Sequence, residues 1–362
     1  MANRVRNFGA GPAALPLPVL EQIRDELLDF RGTGMSILES SHRGPAYSEI
    51  HEEAMTNLRR LLEAGEEYEI LFMTGGARTQ FSLVAMNLLT RGSRADYVTT
   101  GRWSELALDA GRRFGAVREI WTSAPHGHDR VPGDDELAPD PRAAFVHYTS
   151  NNTIYGTQYH RVPESGGAPL VCDMSSDILS WPLDVSRFGV IYAGAQKNLG
   201  PAGVTVVVVR RDLLERSEPS LPETMSYAAM AAKRSLVNTP PVFSIYGLAL
   251  VTRHWLSQGG VREIERRNRE KAELLYAAID GSEGFYRGHA RPDSRSRMNV
   301  TFNLPTPELE ASFLTGAAAE GLAALKGHRS VGGVRASIYN VAELEGVREL
   351  AAFMNDFRAR NG

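Results

Sequence analysis

Cysteine and lysine are scarce in this sequence of 362 residues. The single cysteine, Cys172, rules out a disulfide within the chain and a metal site built from several cysteines, and we predict no metal site. One unpaired cysteine is typical of a protein in a reducing compartment, so we expect a cytoplasmic protein. Only four of the 40 basic residues are lysines, so arginine carries nearly all of the positive charge.

Long apolar runs and nucleotide-binding glycine motifs are also missing. No stretch reaches the roughly 18 apolar residues of a membrane-spanning helix, and the N-terminal residues lack the apolar core of a signal peptide. Neither GxxxxGK[ST] nor GxGxxG occurs. The net charge of −3 provides no general attraction to nucleic acid or to anionic membranes. We therefore predict an enzyme-sized protein that binds small molecules, and neither nucleic acid nor a membrane.

Lys197 is unusual because it lies among small and neutral residues, in the segment IYAGAQKNLGPAG (191–203). A chain that uses arginine wherever a generic positive charge serves has a reason to place a lysine there. An amine is able to lose its proton and attack a carbonyl carbon, which a guanidinium group does not do. The segment therefore indicates covalent chemistry at Lys197.

From about residue 68, short apolar runs alternate with amphipathic helical stretches, a pattern typical of a parallel α/β sheet. Strands are predicted at residues 68–73, 95–100, 143–149, 168–175, 189–195 and 203–210. After about residue 245 the pattern becomes that of a smaller α+β domain, with helices at 262–280, 308–322 and 343–360 and strands at 297–304 and 335–340. We expect a large domain over residues 16–255 and a small one over 256–362, while residues 1–15 are left unassigned.

Ligands of open α/β sheets bind at the carboxyl ends of the strands, so the turns at those ends form the candidate site. The turn at residues 74–79 (TGGART) is suited to bind an anion through backbone N–H groups and a helix N-terminus. An ordinary tight turn between a strand and a helix is an equally good interpretation of this segment. Trp103 follows the second strand, where an indole stacks on a flat ligand or simply fills an interface. Asp173 lies near the end of an apolar strand. Its carboxylate needs a partner, such as a protonated pyridine nitrogen, an arginine or a cluster of backbone N–H groups.

One cofactor would account for all of these candidate residues. Pyridoxal phosphate needs a lysine for covalent attachment, an acid at its ring nitrogen, an aromatic floor and a cradle for its phosphate. Lys197, Asp173, Trp103 and the turn at 75–79 supply one candidate for each requirement, and all of them follow predicted strands. We therefore predict that the protein binds pyridoxal phosphate.

With these residues assembled, the sequence resembles the phosphoserine aminotransferases, a fold-type I, class V family of pyridoxal-phosphate enzymes. The resemblance covers nearly the whole chain and is carried by FGAGPAALP (8–16), SHRG (41–44), GGARTQF (75–81), DVSRFGVIYAGAQKNLGPAG (184–203), NTPP (238–241) and LKGHRSVGGVRASIYN (325–340). It implies an α/β fold whose large domain holds a mostly parallel seven-stranded sheet flanked by helices, with a smaller C-terminal α+β domain. It also implies a homodimer with shared active sites.

The resemblance further implies an activity. The substrates are 3-phosphohydroxypyruvate and L-glutamate, and the products are O-phospho-L-serine and 2-oxoglutarate, formed in two half-reactions at one site. The sequence leaves open whether 4-phosphohydroxy-L-threonine, a second substrate linked to this family, is used as well.

Each matching residue receives a role from the resemblance. Lys197 binds the cofactor covalently and moves a proton, Asp173 keeps the pyridine nitrogen protonated, and Trp103 stacks on the ring. The other predicted cofactor contacts are Ala77, Arg78, Thr153 and Gln196, with Asn238 and Thr239 contributed by the neighbouring subunit.

Basic residues are the predicted substrate anchors. A guanidinium group binds a carboxylate or a phosphate through two parallel hydrogen bonds, although most arginines of a chain so rich in them are solvated surface groups. The resemblance assigns Arg335 to the substrate α-carboxylate. It assigns two basic pairs in glycine-flanked loops to the phosphate or the side-chain carboxylate, namely His42, Arg43, His328 and Arg329.

The N-terminal loop departs from the family pattern, because Gly9 and Ala10 stand where the family commonly has two serines. A hydroxyl contact to the substrate is therefore missing, and only backbone N–H groups remain as donors there.

Four other functions fit less well. A cysteine desulfurase needs a mobile catalytic cysteine, whereas Cys172 lies within a buried strand. An aminotransferase of the alanine–glyoxylate type has no use for phosphate anchors. A nicotinamide-dependent oxidoreductase needs the glycine motif that is absent, and a non-enzymatic binding protein has no need for polar groups concentrated after strands.

Overall fold

The computed structural model describes residues 4–362, in which helices and strands alternate over most of the length. The strands, numbered along the chain, are β1 (Arg6–Asn7), β2 (Tyr68–Thr74), β3 (Arg94–Thr99), β4 (Ala116–Thr122), β5 (Val146–Thr149), β6 (Asn151–Asn152), β7 (Thr157–Gln158), β8 (Leu170–Asp173), β9 (Val190–Gly194), β10 (Val204–Arg210), β11 (Arg287–Gly288), β12 (Asn299–Asn303), β13 (Leu322–Ala323) and β14 (Val334–Ser337). The α-helices are α1 (Leu17–Glu26), α2 (Pro45–Leu62), α3 (Ala77–Leu88), α4 (Arg102–Gly111), α5 (Arg211–Leu214), α6 (Tyr227–Ala232), α7 (Val242–Ser257), α8 (Gly260–Asp280), α9 (Pro307–Ala319) and α10 (Leu344–Asn361). Within the described part of the chain, none of these helices is both long and apolar enough to cross a bilayer.

Seven strands form the central sheet, in the order β2-β10-β9-β8-β5-β3-β4. The pairs β3–β4, β3–β5, β5–β8 and β8–β9 are parallel, whereas β10 runs antiparallel to both of its neighbours. The predicted α/β fold with a mostly parallel seven-stranded sheet is confirmed.

The middle strands of this sheet are apolar along almost their whole length because both of their faces are covered. Every residue of β8 and β9 is buried, and in β10 all but Arg210 are. Six of the seven strands therefore coincide with the apolar runs that predicted them. The run at β4 went unnoticed because its sequence, AVREIWT, places Arg118 and Glu119 in an edge strand without a single buried residue.

The C-terminal elements surround a hydrophobic cluster of their own. There β11, β12 and β14 form an antiparallel three-stranded sheet, and α8, α9 and α10 supply most of the apolar side chains. The strand β1 pairs in parallel with β13, and Phe8 belongs to the same cluster, so residues 6–8 pack with the C-terminal part of the chain. The division into domains over 16–255 and 256–362 stays a prediction.

Candidate active site

The strands β8 and β9 bring Asp173 and Lys197 to the same edge of the sheet. Asp173 is the last residue of β8, and Lys197 lies in the turn that follows the parallel neighbour β9. Burial raises the pKa of Asp173, and both Ser175 and Lys197 oppose that shift. Burial also lowers the pKa of Lys197, against the attraction of Asp173. Lys197 is half-buried, and burial is the main cause of its lowered pKa.

The carboxylate of Asp173 is held through only one of its two oxygens. Oδ1 accepts hydrogen bonds from the backbone N–H of Ser175 at 2.9 Å and from its hydroxyl at 2.6 Å. The same hydroxyl accepts a hydrogen bond from the N–H of Gly194 at 3.1 Å, which ties the group to the end of β9. Among residues 4–362, Oδ2 has no hydrogen-bond partner, so one oxygen is available to a donor from a ligand.

A loop near the N-terminus covers Lys197. A Cβ atom on Gly11 would lie 3.5 Å from Cγ of Lys197, and Gly11 has φ +139°, a conformation that favours glycine. The N–H of Ala13 donates to the carbonyl oxygen of Gln196 at 2.8 Å, and the hydroxyl of Tyr339 donates to that of Ala10 at 2.6 Å. The segment FGAGPAALP (8–16), one of those that carry the family resemblance, thus packs directly on the lysine.

The predicted phosphate cradle is the uncapped N-terminus of α3. The helix begins at Ala77, directly after β2, and no side chain caps its first turn. The free N–H groups of such a turn and the helix dipole attract an anion. Arg78 is exposed, and its guanidinium forms no hydrogen bond or ion pair within the described chain. The structure therefore offers backbone donors and a cation at this position.

Thr153 connects the predicted ring-stacking residue to the predicted carboxylate anchor. The indole Nε1 of Trp103 donates to the Thr153 hydroxyl at 3.1 Å, and Nη1 of Arg335 donates to the Thr153 carbonyl oxygen at 3.0 Å. Trp103 is half-buried in the first turn of α4, after β3, and Thr153 is buried. These three side chains, which come from three distant parts of the sequence, meet in one place.

Two arginines and a histidine lie beside this group. Arg335 is half-buried without a carboxylate partner among the described residues, and burial lowers its pKa. Burial also lowers the pKa of His328, and the positive charges of Arg335 and Arg329 add to the shift. Because like charges repel, this cluster is most stable with an anion bound.

Four predicted residues are not joined to this cluster by any contact within residues 4–362. His42 and Arg43 lie just before α2, and Asn238 and Thr239 lie just before α7. None of their side chains forms a hydrogen bond within the described chain, and all but the half-buried His42 are exposed. Their roles stay predictions.

Two supporting residues were missed by the sequence analysis. Ser175 orients Asp173, and a serine two residues after a strand-ending aspartate is the signal that predicts such a turn. Asn198 accepts a hydrogen bond from the N–H of Asn340 at 3.0 Å. A contact over that distance in sequence leaves no local signal.

Comparison with known proteins decides the family. Residues 5–350 match the family described as aminotransferase class-V. The chain belongs to this family. A phosphoserine aminotransferase of Desulfatibacillum aliphaticivorans is 52% identical over 100% of both chains, and one of Geobacillus kaustophilus is 53% identical over 99% of both.

Solved structures of phosphoserine aminotransferases are similar to this chain over nearly its whole length. The phosphoserine aminotransferase from Bacillus circulans subsp. alkalophilus has a TM-score of 0.97 at 47% identity over 100% of both chains. A PLP-bound phosphoserine aminotransferase from Trichomonas vaginalis has a TM-score of 0.92 at 38% identity, over 97% of this chain and 100% of that one. The sequence-based predictions of the family and of aminotransferase activity are confirmed.

Proposed function

We propose that this aminotransferase converts 3-phosphohydroxypyruvate and L-glutamate to O-phospho-L-serine and 2-oxoglutarate. The cluster of Arg335, His328 and Arg329 beside the Lys197–Asp173 pair is the observation that carries the proposal. A substrate with both a carboxylate and a phosphate supplies the anionic partners that Arg335 and Arg329 lack within residues 4–362, and a phosphate oxygen accepts a hydrogen bond from an imidazole such as that of His328. Full-length relatives at about 50% identity are phosphoserine aminotransferases, which supports the same substrates.

The predicted cofactor, pyridoxal phosphate, is confirmed by the class-V family and by the PLP-bound relative. The residues of this chain fit it. The free Oδ2 of Asp173 matches a protonated ring nitrogen, the uncapped start of α3 matches a phosphate, and Lys197 is the buried amine. When bound, the cofactor supplies an aldehyde to the amine and a conjugated ring that stabilises negative charge on the substrate Cα.

Lys197 moves the proton in this mechanism. Because burial lowers its pKa, more of its amine is neutral at a given pH than for an exposed lysine, and only a neutral amine takes a proton. We propose that Nζ removes the proton from the substrate Cα and would deliver it to the aldehyde-derived carbon of the cofactor, so that the amino group stays on the cofactor. Asp173, whose Oδ1 is fixed by Ser175, would hold the ring nitrogen in its protonated form with Oδ2.

The other residues orient the substrate and the cofactor. Arg335 would bind the α-carboxylate and is itself held by the Thr153 carbonyl oxygen. His328 and Arg329 would bind the phosphate of phosphoserine or the side-chain carboxylate of glutamate. We also propose that five residues contact the cofactor, namely Ala77, Arg78, Trp103, Thr153 and Gln196.

We further propose a cytoplasmic homodimer with shared active sites. Asn238 and Thr239 are exposed, and their side chains form no hydrogen bond within residues 4–362, which supports a role at the partner's cofactor phosphate. The pair at His42 and Arg43 completes the phosphate anchor, from the same or the partner subunit. The single buried thiol, Cys172, supports a reducing compartment.

Steady-state kinetics test the proposed reaction. Because both half-reactions share one site, double-reciprocal plots at several glutamate concentrations should be parallel, and intersecting lines would reject the mechanism. Glyoxylate is the matched control substrate, because it is an oxo acid without a phosphate. We expect 3-phosphohydroxypyruvate to be preferred by at least about 100-fold in kcat/KM, since a lost charge-assisted anchor typically costs about 3 kcal/mol. Equal or better use of glyoxylate would contradict the proposed substrate.

A further inference from the structure

Lys271 is a fully buried lysine that the proposed chemistry does not use. It lies on α8 and is 1% exposed, with no carboxylate partner among the described residues. Its Nζ instead donates to three successive carbonyl oxygens: those of Ile338 at 2.9 Å, Tyr339 at 2.5 Å and Asn340 at 3.4 Å. An ammonium has three donors on one compact atom, which suits three converging acceptors better than a planar guanidinium does.

Two of the three residues that Lys271 holds form hydrogen bonds with segments adjacent to Lys197. The N–H of Asn340 donates to Oδ1 of Asn198, the residue after Lys197, at 3.0 Å. The hydroxyl of Tyr339 donates to the Ala10 carbonyl oxygen at 2.6 Å, in the loop that covers Lys197. The segment 338–340 is therefore the common support of the turn that carries the catalytic lysine and of the loop above it.

A second side chain of α8 contacts the same segment. Nδ2 of Asn268 donates to Oδ1 of Asn340 at 2.9 Å and to the Ser180 carbonyl oxygen at 3.2 Å. Asn268 and Lys271 are three residues apart and so lie on one face of the helix. Burial lowers the pKa of Lys271 to about 7, while the carbonyl oxygens favour its charged form. An apolar side chain would avoid that desolvation but would leave the three carbonyl oxygens without this donor.

We propose that Lys271 is a positioning residue that acts through Tyr339 and Asn340. It holds the segment 338–340 in the conformation that keeps the loop at Ala10–Gly11 and the turn at Asn198 packed around Lys197. The inference rests on the proposed attachment of pyridoxal phosphate to Lys197, and it is independent of which oxo acid is the substrate.

Loosening of this support should change the titration of Lys197. Water would reach the amine more easily, and because burial is the main cause of its lowered pKa, that pKa would rise towards the ordinary value. Recombination of the cofactor-free protein with pyridoxal phosphate requires a neutral amine, so its pH midpoint should rise as well. A role limited to packing would lower stability without moving this midpoint.

The experiment follows recombination by absorption as a function of pH, for the wild type, Lys271→Gln, Tyr339→Phe and the double variant. We expect the midpoint to rise by about one pH unit in each single variant. Because both act through one segment, the double variant should shift by less than the sum. Lys233→Met is the matched control, since Lys233 is exposed and paired with Glu223, and its midpoint should equal that of the wild type.

Unchanged midpoints in both single variants, with a lower unfolding temperature in Lys271→Gln, would overturn the inference. If Lys271→Gln does not fold, Tyr339→Phe decides alone, because it removes only one hydroxyl. Failure of the wild type to recombine at all would reject both this inference and the proposed cofactor role of Lys197. A wild type that recombines but does not aminate 3-phosphohydroxypyruvate would reject the proposed substrate only.

Discussion

At the scale of single residues, burial brings the pKa values of Lys197 and Asp173 closer together. It lowers the pKa of the amine and raises that of the carboxyl, while each charge opposes the shift of the other. The free-energy difference between the charged and neutral forms is therefore smaller than for two exposed groups. Groups that exchange protons at neutral pH need such a small difference.

A second buried carboxyl group, that of Asp177, interacts with this pair and gives a prediction about stability. Burial raises the pKa of Asp177 to about 7, although the hydroxyl of Ser150 and the amide of Gln158 donate to its carboxylate. The folded protein therefore holds a proton that the unfolded chain releases above about pH 4. This contribution to stability is complete below pH 4 and is lost as the pH rises to about 7.

Replacement of Asp177 by asparagine should remove this pH dependence. Denaturant unfolding of the wild type and of Asp177→Asn between about pH 4 and pH 8 measures it. We expect the free energy of unfolding of the wild type to fall relative to the variant as the pH rises, by at most about 4 kcal/mol. Two curves that stay parallel over this range would contradict a raised pKa of Asp177.

At the scale of elements, the turn between β2 and α3 has a backbone that only glycine adopts easily. Gly75 has φ +98°, and a Cβ atom there would lie 2.8 Å from Oγ1 of Thr79. Gly75→Ala should distort the start of α3, at a cost of about 1–2 kcal/mol, and weaken the affinity for pyridoxal phosphate by about tenfold. Equilibrium titration of the cofactor-free protein measures the affinity.

Gly92 offers the control for this prediction. It has φ +84°, lies in the turn between α3 and β3, and has open space where a Cβ atom would be. Gly92→Ala should therefore lose a similar amount of stability without any loss of cofactor affinity. Equal affinities of the two variants would show that the turn at Gly75 does not hold the phosphate.

The elements also show what the sequence predicts and what it does not. Buried strands such as β8 and β9 are continuous apolar runs, and the candidate site residues at their carboxyl ends were found from those runs. The edge strand β4 is paired on one side only and carries charged residues, so it lacks that signal. The pairing of β1 with β13 joins residues more than 300 positions apart, and two-residue strands have no periodicity to detect.

At the scale of the whole molecule, the site is a meeting point of distant segments. The strand order explains why Asp173 and Lys197 are neighbours, and this the sequence predicts from two apolar runs. The contacts of Arg335 with Thr153, and of Tyr339 with the N-terminal loop, depend on how the C-terminal elements pack on the sheet. The family resemblance gave roles to Arg335 and Thr153 separately and none to Tyr339, and it did not predict these contacts, because no local pattern encodes packing between distant segments.

Shared active sites in a homodimer predict complementation between inactive variants. Lys197→Ala removes the catalytic amine, and Thr239→Glu should repel the cofactor phosphate of the partner. A mixed dimer has one site with both defects and one with neither. Refolding an equal mixture of the two variants should therefore restore about a quarter of the wild-type activity. Activity no greater than that of either variant alone would contradict a contribution of Thr239 to the partner's site.

The most direct test of the central claim is reduction of the cofactor-loaded protein with borohydride, followed by peptide mapping. The chain offers only four lysines, at positions 197, 233, 271 and 326, so the site of attachment is read without ambiguity. The reduced cofactor should be found on the peptide that contains Lys197 and be absent from Lys197→Ala. A modified peptide that contains a different lysine of the wild type, and lacks position 197, would contradict the role of Lys197.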